Sequence, residues 1–210
     1  MRTELGQRAR ELGLELDEAA WGRVAQLEDL WLRYGAVANL VGAKDRVALQ
    51  QHLEDGLATV ACAAKTLSLG PEIRWLDVGS GGGLPGLLVV AVTECDCTLV
   101  EPRQKRAAFL EFALGMMGRR ARVCRARLGV STWSENGAEQ VLDRENMGFC
   151  VATARAVFAP ERWRDIAESC VKSGGVWIAH HVRGGATAEM GEFLGKVQTG
   201  SGEICAYRVR

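Results

Sequence analysis

Trp75-Leu76-Asp77-Val78-Gly79-Ser80-Gly81-Gly82-Gly83-Leu84-Pro85-Gly86 is the stretch on which the fold turns. A short strand runs into a glycine-rich turn and then into a helical segment expected over Leu84 to Thr93. Glycines at such a turn let a ligand lie directly against the backbone, at the carboxyl ends of the strands and close to a helix amino terminus. Gly81-x-Gly83-x-x-Gly86 also fits the dinucleotide fingerprint, so the turn alone leaves two ligand classes open. Asp77 separates them. A carboxylate just before Gly-x-Gly suits a ligand with a cationic, hydrogen-bond-donating amino-acid portion, whereas it would repel a pyrophosphate. Glu101 closes the next strand, 22 residues after Gly79, where its oxygens can accept from both hydroxyls of a ribose. Asp77, the glycine turn and Glu101 together describe a binding site for S-adenosylmethionine. A nicotinamide dinucleotide is the competing ligand, and simple capping of turns by the two acids is the bland alternative.

Outward from this turn, short apolar strands alternate with helical stretches, the pattern of a parallel sheet with helices on its faces. Strands are expected at Arg74 to Val78, Cys97 to Glu101, Arg122 to Arg125, Phe149 to Thr153 and Val176 to Ala179. Helices are expected at Arg103 to Met117, at Pro160 to Cys170 and, less clearly defined, near Ser134 to Leu142. Phe193 to Thr199 and Ile204 to Val209, around Gly200-Ser201-Gly202, read as a hairpin that ends the sheet in an antiparallel pair. Before residue 66 the periodicity is helical. Asp17 can cap a helix with apolar positions Trp21, Val24, Leu27, Leu30, Trp31 and Tyr34, ending near Gly35, and a second helix follows Asp45 with Val47, Leu49, Leu53, Leu57 and Val60. That stripe reads as core.

Of 210 residues, 48% are hydrophobic and 25% charged, which is ordinary for a globular chain and excludes collagen-like or disordered classes. The longest apolar run, Leu87 to Val92, is far short of the roughly 20 residues a bilayer span needs, and Met1-Arg2-Thr3-Glu4 opens no signal peptide. The expectation is a cytoplasmic protein with no membrane association. Seven cysteines without a Cys-x-x-Cys pair suggest buried free thiols, with neither a disulfide framework nor a metal site. Net charge is zero, yet residues 101 to 127 carry eight basic side chains against Glu101 and Glu111. Such a cluster can meet a polyanion, although a solvated helix face has the same composition.

Taken together, these landmarks make the chain resemble the bacterial small-subunit (16S) ribosomal RNA guanine-N7 methyltransferases, once called glucose-inhibited division protein B. The resemblance covers nearly the whole chain. It rests on Glu11-Leu12-Gly13-Leu14-Glu15-Leu16, Asn39-Leu40, His52-Leu53-Glu54-Asp55, Leu76 to Gly86, Lys105-Arg106-Ala107-Ala108-Phe109-Leu110 and Ala154-Arg155-Ala156-Val157. It implies a doubly wound α/β fold with a mostly parallel seven-stranded sheet, the Rossmann-like class I methyltransferase fold, with a helical extension over residues 1–65 and the methyltransferase domain over 66–210. It also implies a cofactor site of Asp77, Gly79, Gly81, Leu84, Glu101, Ala126, Arg127 and Arg155. In that site Arg155 is the organiser of catalysis, not an acid or base. Contacts to the small ribosomal subunit or its RNA would come from Lys44, His52, Arg103, Lys105, Arg106 and Arg183, in a protein expected to be a monomer. The chain departs from the family pattern at Tyr34-Gly35, Val41, Gln51, Arg127, Cys150 and Val182-Arg183-Gly184. These departures keep open a methyltransferase retargeted to another RNA or a small molecule, or a non-catalytic RNA-binding homologue, while a nicotinamide oxidoreductase rests on the glycine spacing alone.

Overall fold

The computed structural model describes residues 2–38, 46–181 and 190–210. Three helices come first: α1 (Arg2–Glu11), α2 (Glu18–Ala38) and α3 (Arg46–Ala64). Asp17 caps α2 as its position predicts, its Oδ1 accepting the Ala20 amide at 2.7 Å. Then follow β1 (Arg74–Val78), α4 (Gly86–Val92), β2 (Asp96–Val100), α5 (Gln104–Met116), β3 (Arg122–Cys124), β4 (Ala126–Leu128), β5 (Thr132–Glu135), β6 (Ala138–Val141) and α6 (Arg144–Met147). The chain closes with β7 (Phe149–Ala154), α7 (Pro160–Cys170), β8 (Val171–His181), β9 (Glu192–Gln198) and β10 (Glu203–Arg208).

Seven strands form the main sheet in the order β3-β2-β1-β7-β8-β10-β9. The β1–β2, β1–β7, β2–β3 and β7–β8 pairs are parallel, and β10 runs antiparallel to both its neighbours. The expected antiparallel ending is therefore present, closed by the turn in which Thr199 donates its amide to the Gly202 carbonyl. Chain order reverses between β1 and β7, so a crevice must open at their carboxyl ends.

Alternation along the strands sorts the core into two layers. Trp75, Cys97, Leu99, Val151 and Ile178 pack against the helices α1 to α5, whereas Leu76, Val78, Val100, Ala152, Trp177 and Tyr207 face α7 and its surroundings. Leu5, Leu27 and Leu53 are buried in the first of these layers, so the three leading helices share the core of the sheet. Polar side chains stitch the same junction. Arg23 Nε donates to the Ala91 carbonyl at 2.7 Å, and Asp55 Oδ1 accepts from Ser201 at 2.8 Å.

The helix expected near Ser134 to Leu142 is corrected by the structure. That segment is the β5–β6 hairpin, which joins β4 in a separate three-stranded sheet. The deciding residues are Asn136 and Gly137, with φ of 52° and 83°, the two positive values that a two-residue type I′ turn demands and that Asn-Gly supplies most readily. Trp133 then buries its ring beneath the hairpin.

Two glycines with open space around them give opposite expectations. Gly137→Ala should lower stability by about 1 kcal/mol through its positive φ alone, since an added methyl meets nothing within 4 Å. Gly22→Ala, equally unobstructed but inside α2, should raise stability by about 0.5–1 kcal/mol. Urea unfolding of the two variants checks both signs.

Candidate functional site

A single carbonyl shapes the glycine turn. Val100, the last residue of β2, accepts from the amides of both Gly79 and Ser80, at 2.8 and 2.9 Å. Gly79, Gly81 and Gly83 all take positive φ, which glycine adopts without steric cost. At Gly79 the space is also filled from the other side, because an added Cβ would lie 2.5 Å from Val157 in the loop after β7. The turn is held from behind by α2, whose Trp31 Nε1 donates to the Gly82 carbonyl at 2.6 Å.

Above this turn lies a cleft of about 460 Å³. Gly79, Gly81 and Leu84 line it from the turn, Glu101 and Arg103 from the end of β2, and His52, Arg155 and Val157 from α3 and the loop after β7, together with Arg106, which comes close to Gly81, and Arg127 of β4. Glu101 is 3% exposed; its Oε2 accepts the Gly81 amide at 2.9 Å and its Oε1 the Arg103 amide at 2.8 Å. Each carboxylate oxygen keeps a second lone pair, enough to receive the two hydroxyls of a ribose.

Asp77 is placed differently from the sequence expectation. It is 1% exposed and lies beneath the turn, outside the cleft lining. Its Oδ1 accepts from the Thr153 hydroxyl at 2.9 Å, and that hydroxyl in turn accepts from Trp75 Nε1 at 3.1 Å. Oδ2 is buried with no hydrogen-bond partner among the described residues. It presses on Gly86, where any side chain would collide with it. Burial pushes the Asp77 carboxyl up to about 6, with the Thr153 hydroxyl opposing the rise.

Arg155 follows β7 into the cleft, next to Ala156, which holds a left-handed φ of 57°. A non-glycine residue in that region marks a backbone held by its surroundings. The Arg155 Nη2 lies 2.5 Å from His52 Nδ1, while Nη1 is buried with no hydrogen-bond partner among the described residues. Burial holds the guanidinium below its usual range, with Asp55 and Asp77 opposing. His52, expected as an RNA contact, thus has an intramolecular partner that the sequence did not disclose.

The remaining expected residues divide. Arg127 is exposed and lines the cleft, but its neighbour Ala126, the first residue of β4, is buried and is not part of the cleft lining. Lys105 is exposed on the first turn of α5, outside the cleft lining, while Arg103 and Arg106 are on it. Lys44 and Arg183 lie outside the described residues, as do Asn39 to Val41 and Val182 to Gly184. All seven cysteines are buried and unpaired, and burial pushes the Cys62 and Cys170 thiols up to about 12. Thr153, Trp31 and Val157 were not singled out as site residues. Only Thr153 left a trace, as a lone hydroxyl inside an otherwise apolar strand.

A doubly wound sheet with a reversed last strand, a glycine turn at its switch point and an acid closing the second strand define an S-adenosylmethionine-dependent methyltransferase. Comparison with known proteins makes this specific. The family described as rRNA small subunit methyltransferase G matches residues 23–192. Ribosomal RNA small subunit methyltransferase G of Ralstonia nicotianae is 33% identical over 85% of this chain and 77% of its own length. The protein of the same name from Paracidovorax citrulli is 30% identical over 81% and 70%. Among solved structures, the T. thermophilus 16S rRNA N2 methyltransferase in complex with AdoMet and guanosine superposes with a TM-score of 0.50 at 17% identity, over 81% of this chain and 44% of that one. The chain belongs to the rRNA small subunit methyltransferase G family, and methyl transfer is thereby favoured over the oxidoreductase and the non-catalytic readings.

Asp77 yields a pH prediction with a definite sign. A carboxyl raised in the folded protein contributes stability that is complete below its unfolded value of 3.8 and is lost as pH rises through about 6. The loss should be on the order of 3 kcal/mol for the protein without ligand. Denaturation midpoints should therefore fall across this window for the wild type and stay level for Asp77→Asn.

Proposed function

We propose that the chain transfers a methyl group to N7 of a guanine in small-subunit ribosomal RNA, acting as a monomer in the cytoplasm without a metal ion. One observation carries this reading: in a member of this family, the glycine turn, Glu101 and four arginines converge on a single cleft. The residues fit the cofactor. Glu101 offers free lone pairs toward a ribose, the backbone of Gly79 to Gly81 leaves room for a chain lying flat, and Arg155 supplies a cation for an amino-acid carboxylate. Asp77 acts from beneath, holding the turn and its helix in register through Thr153 and Gly86.

When bound, S-adenosylmethionine supplies an electrophilic methyl on a sulfonium. Guanine N7 already carries a lone pair, so no side chain has to remove a proton, and alignment is the chief requirement. The methylated purine would be cationic. A general base would add nothing. The task of Arg155 is to hold the carboxylate end of the cofactor while staying off the purine, where a second cation would oppose the product.

Arg103, Lys105 and Arg106 lie together at the start of α5, and with Arg127 they present the phosphate-binding side of the proposed RNA contact. His52 stands across the cleft from them. Lys44 and Arg183 are kept as RNA contacts on the strength of the resemblance alone. Residues 66–210 form the proposed catalytic unit, with residues 1–65 shaping its RNA-side rim. Among the described residues no helix is long and apolar enough to cross a membrane.

The reading is tested first by titration calorimetry with S-adenosylhomocysteine. Wild-type protein should bind, and Glu101→Ala should weaken binding at least tenfold, equivalent to about 1.4 kcal/mol. Incubation with S-adenosylmethionine and small ribosomal subunits, or their naked RNA, should then yield 7-methylguanosine on nucleoside analysis. Binding without any methylated guanosine would defeat the proposed target. Replacing Lys105, which is exposed and outside the cleft lining, by Ala should weaken binding of the RNA and flatten its salt dependence, with the affinity for S-adenosylhomocysteine unchanged.

A further inference from the structure

Helix α3 presents three polar side chains at positions 52, 55 and 59, a spacing that puts them on one face. Each reaches a different part of the sheet. His52 meets Arg155 after β7, Asp55 accepts from Ser201 in the β9–β10 turn, and Thr59 lies 3.4 Å from His180 Nε2 in β8. The apolar side of α3 is deeply buried from Leu49 onward, with Leu49, Leu53 and Leu57 at 1% exposure or less. The helix is therefore fixed in place, and the His52 ring with it. Only one of these three contacts ends on a residue that lines the cleft with a charged group.

We infer that His52 is a positioning residue for Arg155: by accepting a hydrogen bond at Nδ1 it fixes the guanidinium at the wall of the cofactor cleft. The inference rests on the reading of that cleft given above and assigns His52 a task distinct from RNA contact. A guanidinium has five donors and no acceptor, so the ring nitrogen facing it must be deprotonated. The pair works only with a neutral imidazole. Burial and the charge of Arg155 both favour that form, with Asp55 opposing from the next turn of the helix. The other groups around the pair act on it through charge. Asp77 faces Arg155 from β1 with Oδ1 bonded to Thr153 and Oδ2 without a hydrogen-bond partner among the described residues, so it attracts the guanidinium without bonding it, and the half-buried His180 on β8 is kept neutral. Across the cleft stand Glu101, which is engaged with the Gly81 and Arg103 amides, and the cations Arg103, Arg106 and Arg127. Protonation of His52 would break the bond and set two cations side by side. Cofactor affinity should consequently fall as pH drops through the imidazole's lowered range.

The test is calorimetric titration of full-length protein with S-adenosylhomocysteine between about pH 5 and pH 8, the window in which histidine changes charge. His52→Phe removes the acceptor and should weaken binding about tenfold at neutral pH, with a shallower decline on acidification than the wild type, the remainder belonging to Asp77. His52→Asn carries an oxygen near the place of Nδ1; it should bind within about threefold of the wild type at neutral pH and share the shallower acid-side decline. In an Arg155→Ala background His52→Phe should have no additional effect, because the partner it serves is gone. Equal binding by His52→Phe and wild type, or a His52→Asn variant as weak as His52→Phe, would overturn the positioning role while leaving the cofactor site intact. Loss of RNA affinity with unchanged S-adenosylhomocysteine binding would likewise overturn it in favour of a direct RNA contact. Failure of the wild type to bind S-adenosylhomocysteine would remove the reading of the cleft, and this inference with it.

Discussion

The Val100 carbonyl, accepting the amides of Gly79 and Ser80, is the contact on which the site depends. It couples the end of the second strand to the turn after the first, so that sheet pairing and loop shape are one constraint. Glu101, the next residue, continues the grip by accepting the Gly81 amide. A turn held in this way does not have to be ordered by a ligand. Its backbone is set before binding, and the entropy of fixing it is charged to folding instead.

Burial beneath the turn comes at an electrostatic cost. Asp77 is enclosed by the sheet with one oxygen that has no hydrogen-bond partner among the described residues, an arrangement that opposes its ionisation. Arg155 carries a buried nitrogen in the same condition. Two groups of opposite charge, each incompletely bonded among the described residues, therefore lie about the turn. Strain of this kind tends to collect where a ligand or a partner segment completes the bonding, and here it sits next to the left-handed Ala156.

Most of the architecture was legible because it rests on period and punctuation. The strand Arg74 to Val78 and the helix Pro160 to Cys170 coincide with their expected bounds, and the hairpin around Gly200-Ser201-Gly202 is where the turn residues put it. The Ser134 to Leu142 segment was misread because its apolar content is sparse. Asn136-Gly137 held the decisive signal, and it outweighs weak helical periodicity. The lining of the candidate site was legible where the backbone itself shapes the cleft, at Gly79, Gly81 and Glu101. It was not where contact depends on tertiary approach. The carboxylate of Asp77 reads from sequence as facing the ligand, because strand alternation does not say which face is roofed. His52 and Arg155 stand 103 residues apart, and no local pattern announces that they touch.

The seven buried thiols have a consequence of their own. They are distributed through both faces of the sheet, with Cys62, Cys95, Cys97 and Cys150 on the side of the leading helices and Cys124, Cys170 and Cys205 on the side of α7. A water-soluble alkylating reagent meets none of them in the folded state. Each becomes reactive only when its own layer opens, so the order in which they are modified is a record of how the molecule comes apart. The chain carries its own set of internal clocks, one for every layer, without a label having to be introduced.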